Sequence, residues 1–129
     1  AYRTPLFLRN TLDETTGEPL EVLAHRTAKR VVSEQTAETL RGLLAGVVEN
    51  GTGHEAALPE TAAAGKTGTA QTGQFREGKE LKNSWFAGVF PAEAPRYTIV
   101  VLQDAQTEPA HSSAAIFAAL AEMLENLAQ

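Results

Sequence analysis

The chain has 129 residues, of which 43% are apolar and 21% charged, with a formal net charge of −5 and no cysteine. That is enough for one domain, or a piece of one, with a real core. Lysine and arginine are scattered among acids, which argues against a nucleic-acid surface and a polybasic membrane patch, and the lack of cysteine excludes disulfides, thiolate catalysis and zinc–thiolate sites.

In chain order, Tyr2 to Arg9 reads as a short extended segment begun at Pro5, and Leu20 to Ala24 as its return strand. Between them Asn10 to Pro19 is polar, with Asp13, Gly17 and Pro19 as turn residues, so the pair suggests a β-hairpin with a long tip. Ser33 is a good N-cap, followed by Glu34 in a first turn. Ala37, Leu40, Leu44, Val47 and Val48 then recur at helical spacing, predicting a helix from about Glu34 to Glu49 that stops at Asn50-Gly51. Gly42 and Gly46, four apart, suit close approach of another backbone. Gly51-Thr52-Gly53 opens a loop that runs to Pro59.

The next run is Gly65-Lys66-Thr67-Gly68-Thr69-Ala70, small residues framed by Pro59, Gly73 and Gly78. As a strand it places Thr67 and Thr69 on one face and Lys66, Gly68 and Ala70 on the other. Gly68 leaves bare backbone for something to approach. Gly73 to Asn83 is charged and reads as a surface loop or a long hairpin tip. Ser84 to Phe90 is aromatic and β-branched, a strand. Tyr97 to Leu102 is a strand that reads as covered on both faces, and at six residues it is far too short an apolar run to span a bilayer. The short connection between these two strands predicts antiparallel pairing. A final helix, capped by Ser112 or Ser113, presents Ile116, Phe117, Leu120, Met123, Leu124 and Leu127 as its apolar face. The expected fold class is α+β: an antiparallel sheet with one helix on each face.

Metal chemistry is disfavoured, because His25, His54 and His111 are far apart and none sits in a ligand motif. Phosphate binding is also disfavoured: Gly65-Lys66-Thr67 matches the end of a phosphate loop, but Glu60 stands where the first glycine belongs. The serines are Ser33, Ser84, Ser112 and Ser113; none has a lysine three residues on, and none lies in a G-x-S-x-G elbow.

What the chain does contain is a K-T-G triplet in an extended, ordered context. Lys66-Thr67-Gly68-Thr69-Ala70-Gln71 is followed by Asn83 to Pro91, then by Tyr97 to Asp104 and a C-terminal helix. Upstream stand Thr4-Pro5, Val32 to Leu44, and Gly46 to Gly53. This run resembles the C-terminal part of the transpeptidase domain of class B high-molecular-weight penicillin-binding proteins, over nearly the whole chain.

The resemblance implies a partial β-lactamase/transpeptidase-like fold and the chemistry of an acyl-serine D,D-transpeptidase of peptidoglycan synthesis. It implies catalytic roles for Lys66 and Thr69: the Lys66 ammonium keeps the cleft electropositive, and the Thr69 N–H is an oxyanion donor. It implies that Thr67, Gly68 and Thr69 hold a D-Ala-D-Ala stem peptide, or a β-lactam, by its carboxylate. No metal and no cofactor are implied. The location implied is the extracytoplasmic face of the bacterial membrane, with the parent protein anchored by an N-terminal segment. The S-x-x-K motif and the second serine motif do not occur in these residues. The chain begins at Ala1 rather than methionine, and residues 1–129 read as the C-terminal portion of one domain whose N-terminal half is its first partner. Alone it is expected not to acylate, and an exposed sheet edge is expected to favour self-association. The alternative reading is a non-catalytic module that binds β-lactams or stem peptides as a sensor.

Overall fold

The computed structural model describes residues 10–22, 29–107 and 109–127. Residues 1–37 and 38–129 form two compact units. The expected strand from Tyr2 to Arg9, the end of its return strand at 23–24, and His25 lie outside the described residues.

In the first unit, β1 (Asn10–Leu12) pairs antiparallel with β2 (Pro19–Val22). Asp13 closes the tip. Its Oδ1 accepts the N–H groups of Thr15 and Thr16, at 2.9 and 2.8 Å, and the Thr16 hydroxyl at 3.1 Å. These donors favour the ionised form. The Asp13 carboxyl is therefore held below the ordinary carboxylate value, first by the Thr16 N–H, then by the Thr15 N–H and the Thr16 hydroxyl. The turn's stabilisation is complete above the ordinary value and is lost as the pH falls through the depressed one. A carbon-detected NMR titration should place the Asp13 midpoint below that of a model aspartate; a midpoint at or above it contradicts this account of the turn.

The helix α1 spans Glu34–Asn50. Ser33 caps it as expected, its Oγ accepting the Thr36 N–H at 3.0 Å. Packing departs from the periodicity. Val48 is the helix's buried residue, whereas Leu40 and Leu43 are exposed. The helix thus feeds the core through its C-terminal end and not along its length. An ideal Cβ built at Gly42 or Gly46 meets nothing within 4 Å, so neither glycine marks a close backbone approach.

The sheet of the second unit has the order β3-β4-β5, all antiparallel: β3 (Ala64–Arg76), β4 (Lys79–Phe90) and β5 (Tyr97–Gln106). The charged stretch expected as a loop or tip is mostly strand. Both turn residues, Glu77 and Gly78, have positive φ, the signature of a two-residue hairpin turn that matches strand twist. Composition could not reveal this, because a mostly exposed ribbon, in which Leu81 is the buried residue, shows no apolar alternation. Thr72 and Leu81 pin the ribbon, the Thr72 hydroxyl donating to the Leu81 carbonyl at 2.6 Å.

Register puts Phe86 opposite Val101 and Thr67, with Gly65 and Gly88 next along the same face. The helix α2 (Ser113–Leu127) lies across β4 and β5 on this face. Phe86, Phe90 and Phe117 are fully buried. The Phe86 and Phe117 rings stand 4.8 Å apart at 56°, and Phe90 meets Phe117 edge-on at 6.0 Å. The opposite face is open: Trp85, Val100 and Leu102 are exposed, so β5 is not covered on both faces. The buried stripe of α2 is Ser113, Ala114, Phe117 and Ala121, with Ile116 and Leu124 half-buried. Leu120, Met123 and Leu127 of the expected apolar face are exposed. The Phe117 ring lies over Gly88, where a Cβ would come within 2.8 Å of it, and the helix buries the side that carries Phe117.

Candidate active-site wall

Ser112 caps α2, which settles the choice of cap: its Oγ accepts the Ala115 N–H at 3.0 Å. Ser113 is buried and does different work. Its hydroxyl donates to the Ser84 carbonyl at 2.9 Å, lies 3.2 Å from the Ser84 hydroxyl, and accepts from the Gln103 amide at 3.0 Å. This network ties the N-terminal end of α2 to β4, across from Thr69, which pairs with Ser84 in register.

Between these elements lies a concavity of about 290 Å³. Its walls include Thr67, Gly68 and Thr69 of β3, Ser84 of β4, Thr52 of the loop after α1, and the first turn of α2. Three of the four residues expected at the site, Thr67, Gly68 and Thr69, line it together. Lys66 does not line it but is bonded to Thr67. Its Nζ donates to the Thr67 carbonyl at 2.9 Å and to the Thr67 hydroxyl at 3.2 Å. Among the described residues β4 is the only strand partner of β3, so the other edge of β3 is unpaired.

Gly65 and Gly68 have different reasons to be glycine. A Cβ at Gly65 would sit 2.5 Å from Phe86 Cζ and 2.8 Å from the Ala87 carbonyl oxygen, so the core forbids it. A Cβ at Gly68 would make only ordinary contact, 3.5 Å from Trp85 Cβ. The packing within this chain therefore does not require glycine at 68.

Two site residues escape a reading of the sequence. Thr52 is hydrogen-bonded to Thr67, hydroxyl to hydroxyl, at 2.9 Å. A hydroxyl between two glycines just past a helix end was the available signal, but nothing local gives its partner fifteen residues on. Ser84 is weighed by its sequence only as a nucleophile and as the start of a strand, and neither reading places it in this wall. Glu55, in the 3-10 turn His54–Ala56, stands on the rim. A second concavity of about 350 Å³ lies between Tyr97 and the C-terminal end of α2. Its walls carry Glu60, Glu122 and Glu125 against one cation, Arg96, and no hydroxyl cluster, so it is the poorer anion site. No group of His, Asp or Glu among the described residues is arranged to hold a metal.

A lysine and several hydroxyls thus stand together on the edge strand of an antiparallel sheet, beside a helix N-terminus, a set of donors whose chemistry suits an anionic group. The chain matches the penicillin binding protein transpeptidase domain over residues 1–122, and it belongs to that family. It is 34% identical over 104 residues to Stage V sporulation protein D of Bacillus subtilis, covering 78% of this chain and 16% of that protein. Among solved structures it resembles the D,D-transpeptidase domain of a peptidoglycan glycosyltransferase from Eggerthella lenta (TM-score 0.65, 35% identity, 88% of this chain and 25% of that one). It also resembles the transpeptidase domain of penicillin-binding protein 3 from Burkholderia pseudomallei (TM-score 0.66, 29% identity, 89% and 35%). The chain therefore spans about a sixth of that curated relative and a quarter to a third of those solved chains.

Proposed function

We propose that this chain supplies the substrate-carboxylate wall of a peptidoglycan D,D-transpeptidase and that the nucleophile belongs to another part of the same domain. The observation that carries this reading is the meeting of Thr52, Thr67 and Thr69 on one concavity, with Lys66 bonded to the Thr67 hydroxyl, at the edge of β3 that is unpaired among the described residues. A cation and aligned hydroxyl donors suit the terminal carboxylate of a D-Ala-D-Ala stem peptide or of a β-lactam. A peptide laid along the free edge gains main-chain hydrogen bonds, and Gly68, which packing leaves free to vary, keeps that approach open. In this reading the Thr69 N–H is one oxyanion donor; a donor of this kind contributes on the order of 3 kcal/mol to the transition state.

The four serines support placing the nucleophile elsewhere. Ser33 and Ser112 are engaged as helix caps. Ser113 and Ser84 bond each other, the Ser84 carbonyl and Gln103. Among the described residues none is hydrogen-bonded to a lysine or histidine that could activate it. By the same reading residues 1–129 are the C-terminal portion of the domain, and the full-length protein works on the extracytoplasmic face of the membrane. No helix among the described residues is long and apolar enough to cross a bilayer.

A fluorescent penicillin tests the reading. The full-length protein should label covalently at a serine outside this chain, and the chain alone should not label. Mixing the chain with the remainder of the domain should restore label. Covalent label on the isolated chain contradicts the placement of the nucleophile. Reversible binding to the full-length protein without label supports the non-catalytic binding module in its place.

A further inference from the structure

We infer that Thr52 is a positioning residue that sets the direction of the Thr67 hydroxyl proton. The inference rests on the carboxylate-binding reading of the site and adds a residue to it. Thr67 Oγ1 has one proton and two lone pairs. Lys66 Nζ, 3.2 Å away, carries donors only, so Thr67 accepts from it. The contact with Thr52 Oγ1 at 2.9 Å can run either way. If Thr67 donates to Thr52, its proton is used up and a lone pair faces the concavity. If Thr52 donates, both lone pairs of Thr67 are occupied, and its proton is left to point at an incoming carboxylate. A bound anion selects the second arrangement, because a carboxylate only accepts. Thr52 therefore acts through Thr67, aiming a donor that the lysine alone would leave free to rotate.

The backbone holds Thr52 in place for this. Gly51 and Gly53 both donate their N–H to the Val47 carbonyl, at 3.1 and 3.0 Å, clamping the loop onto the C-terminal end of α1. A Cβ at Gly51 would sit 2.8 Å from that same oxygen, so only glycine permits the clamp. Gly53 is buried, and a Cβ there would come within 3.3 Å of both Val47 and Phe86. The Gly-Thr-Gly run is thus a rigid perch between helix end and core, with one exposed hydroxyl turned toward β3.

The test compares Thr52→Val, which keeps the shape, with Thr52→Ser, which keeps the hydroxyl, in the full-length protein. Acylation rate constants are measured with benzylpenicillin and with its methyl ester, whose carboxylate is masked. Thr52→Val should lower the rate with the free acid by about tenfold, the loss typical of one aligned hydrogen bond. It should leave the ester rate within about twofold, so that the acid-over-ester preference narrows. Thr52→Ser should stay near wild type on both. Equal losses on acid and ester, no loss on either, or a serine variant as impaired as the valine variant each overturn the role of Thr52. A wild-type protein that acylates with neither compound, or with both equally, overturns the carboxylate site itself. The wild-type arm therefore separates that failure from failure of the Thr52 role.

Discussion

Lys66→Ala is expected to slow acylation of the full-length protein by about a hundredfold while leaving its unfolding midpoint close to wild type. The kinetic loss follows from geometry. Among the described residues the Lys66 ammonium donates two hydrogen bonds, both to Thr67, and one of them is to the hydroxyl that lines the concavity. Removing it takes away a charge-assisted hydrogen bond, which is about twice as strong as a neutral one. It also takes away the positive charge that would offset a carboxylate in a wall bordered by Glu55. The stability should change by no more than about 0.5 kcal/mol, because Lys66 is exposed and its contacts are local. Stopped-flow acylation together with a denaturant melt separates the two effects. An acylation rate within about threefold of wild type would show that Lys66 has no part in the chemistry. A parallel drop in the unfolding midpoint would show that its role is structural.

Phe86→Ala is expected to have the opposite profile, with a large loss of stability of about 3–5 kcal/mol. Phe86 sits at the middle of the central strand and is fully buried. Its ring is packed against Phe117 and lies over three positions that carry no side chain. A Cβ would come within 2.5 Å of the ring at Gly65, 2.8 Å at Gly88 and 3.3 Å at Gly53. These glycines belong to β3, β4 and the loop that carries Thr52, so the ring joins every element that builds the site. Truncation leaves a cavity that this rigid backbone cannot close by rotamer changes, since glycine has none to offer. The unfolding midpoint in denaturant measures the cost. A loss below about 1.5 kcal/mol would mean the surrounding strands collapse onto the gap, against the close packing described above. Phe86→Leu, which refills most of the volume, should recover the larger part of the loss.

The elements of the fold were readable from short-range signals. Ser33 and Asn50-Gly51 bracket α1, the alternating strands came out in order, and antiparallel pairing followed from the short connection at 91–96. The candidate site was half readable. Lys66, Thr67, Gly68 and Thr69 stand together because they are adjacent in one strand, and the structure keeps three of them on one concave wall with the fourth bonded to Thr67. Where the pattern misled, the cause was a partner out of local reach. Leu120 and Met123 have helical spacing, but the side of α2 that meets the sheet is the one that carries Phe117, packed on Phe86, Phe90 and Gly88. The run 73–83 is polar because its ribbon is exposed, not because it is a loop.

From residue identity alone came the charge balance, the absence of thiol chemistry, the Ser33 cap, the strand that carries Lys66, and the mismatch at Glu60 with a phosphate loop. These depend on interactions over a few residues, where propensity and spacing are sufficient causes. Tertiary structure alone decided that Thr52 touches Thr67, that Ser113 is tied to Ser84, and that Gly65 is required by the core while Gly68 is not. Each of these depends on chain segments far apart in sequence meeting across the sheet, where the position of a hydroxyl or the room for a methyl is set by how Phe86 and Phe117 pack.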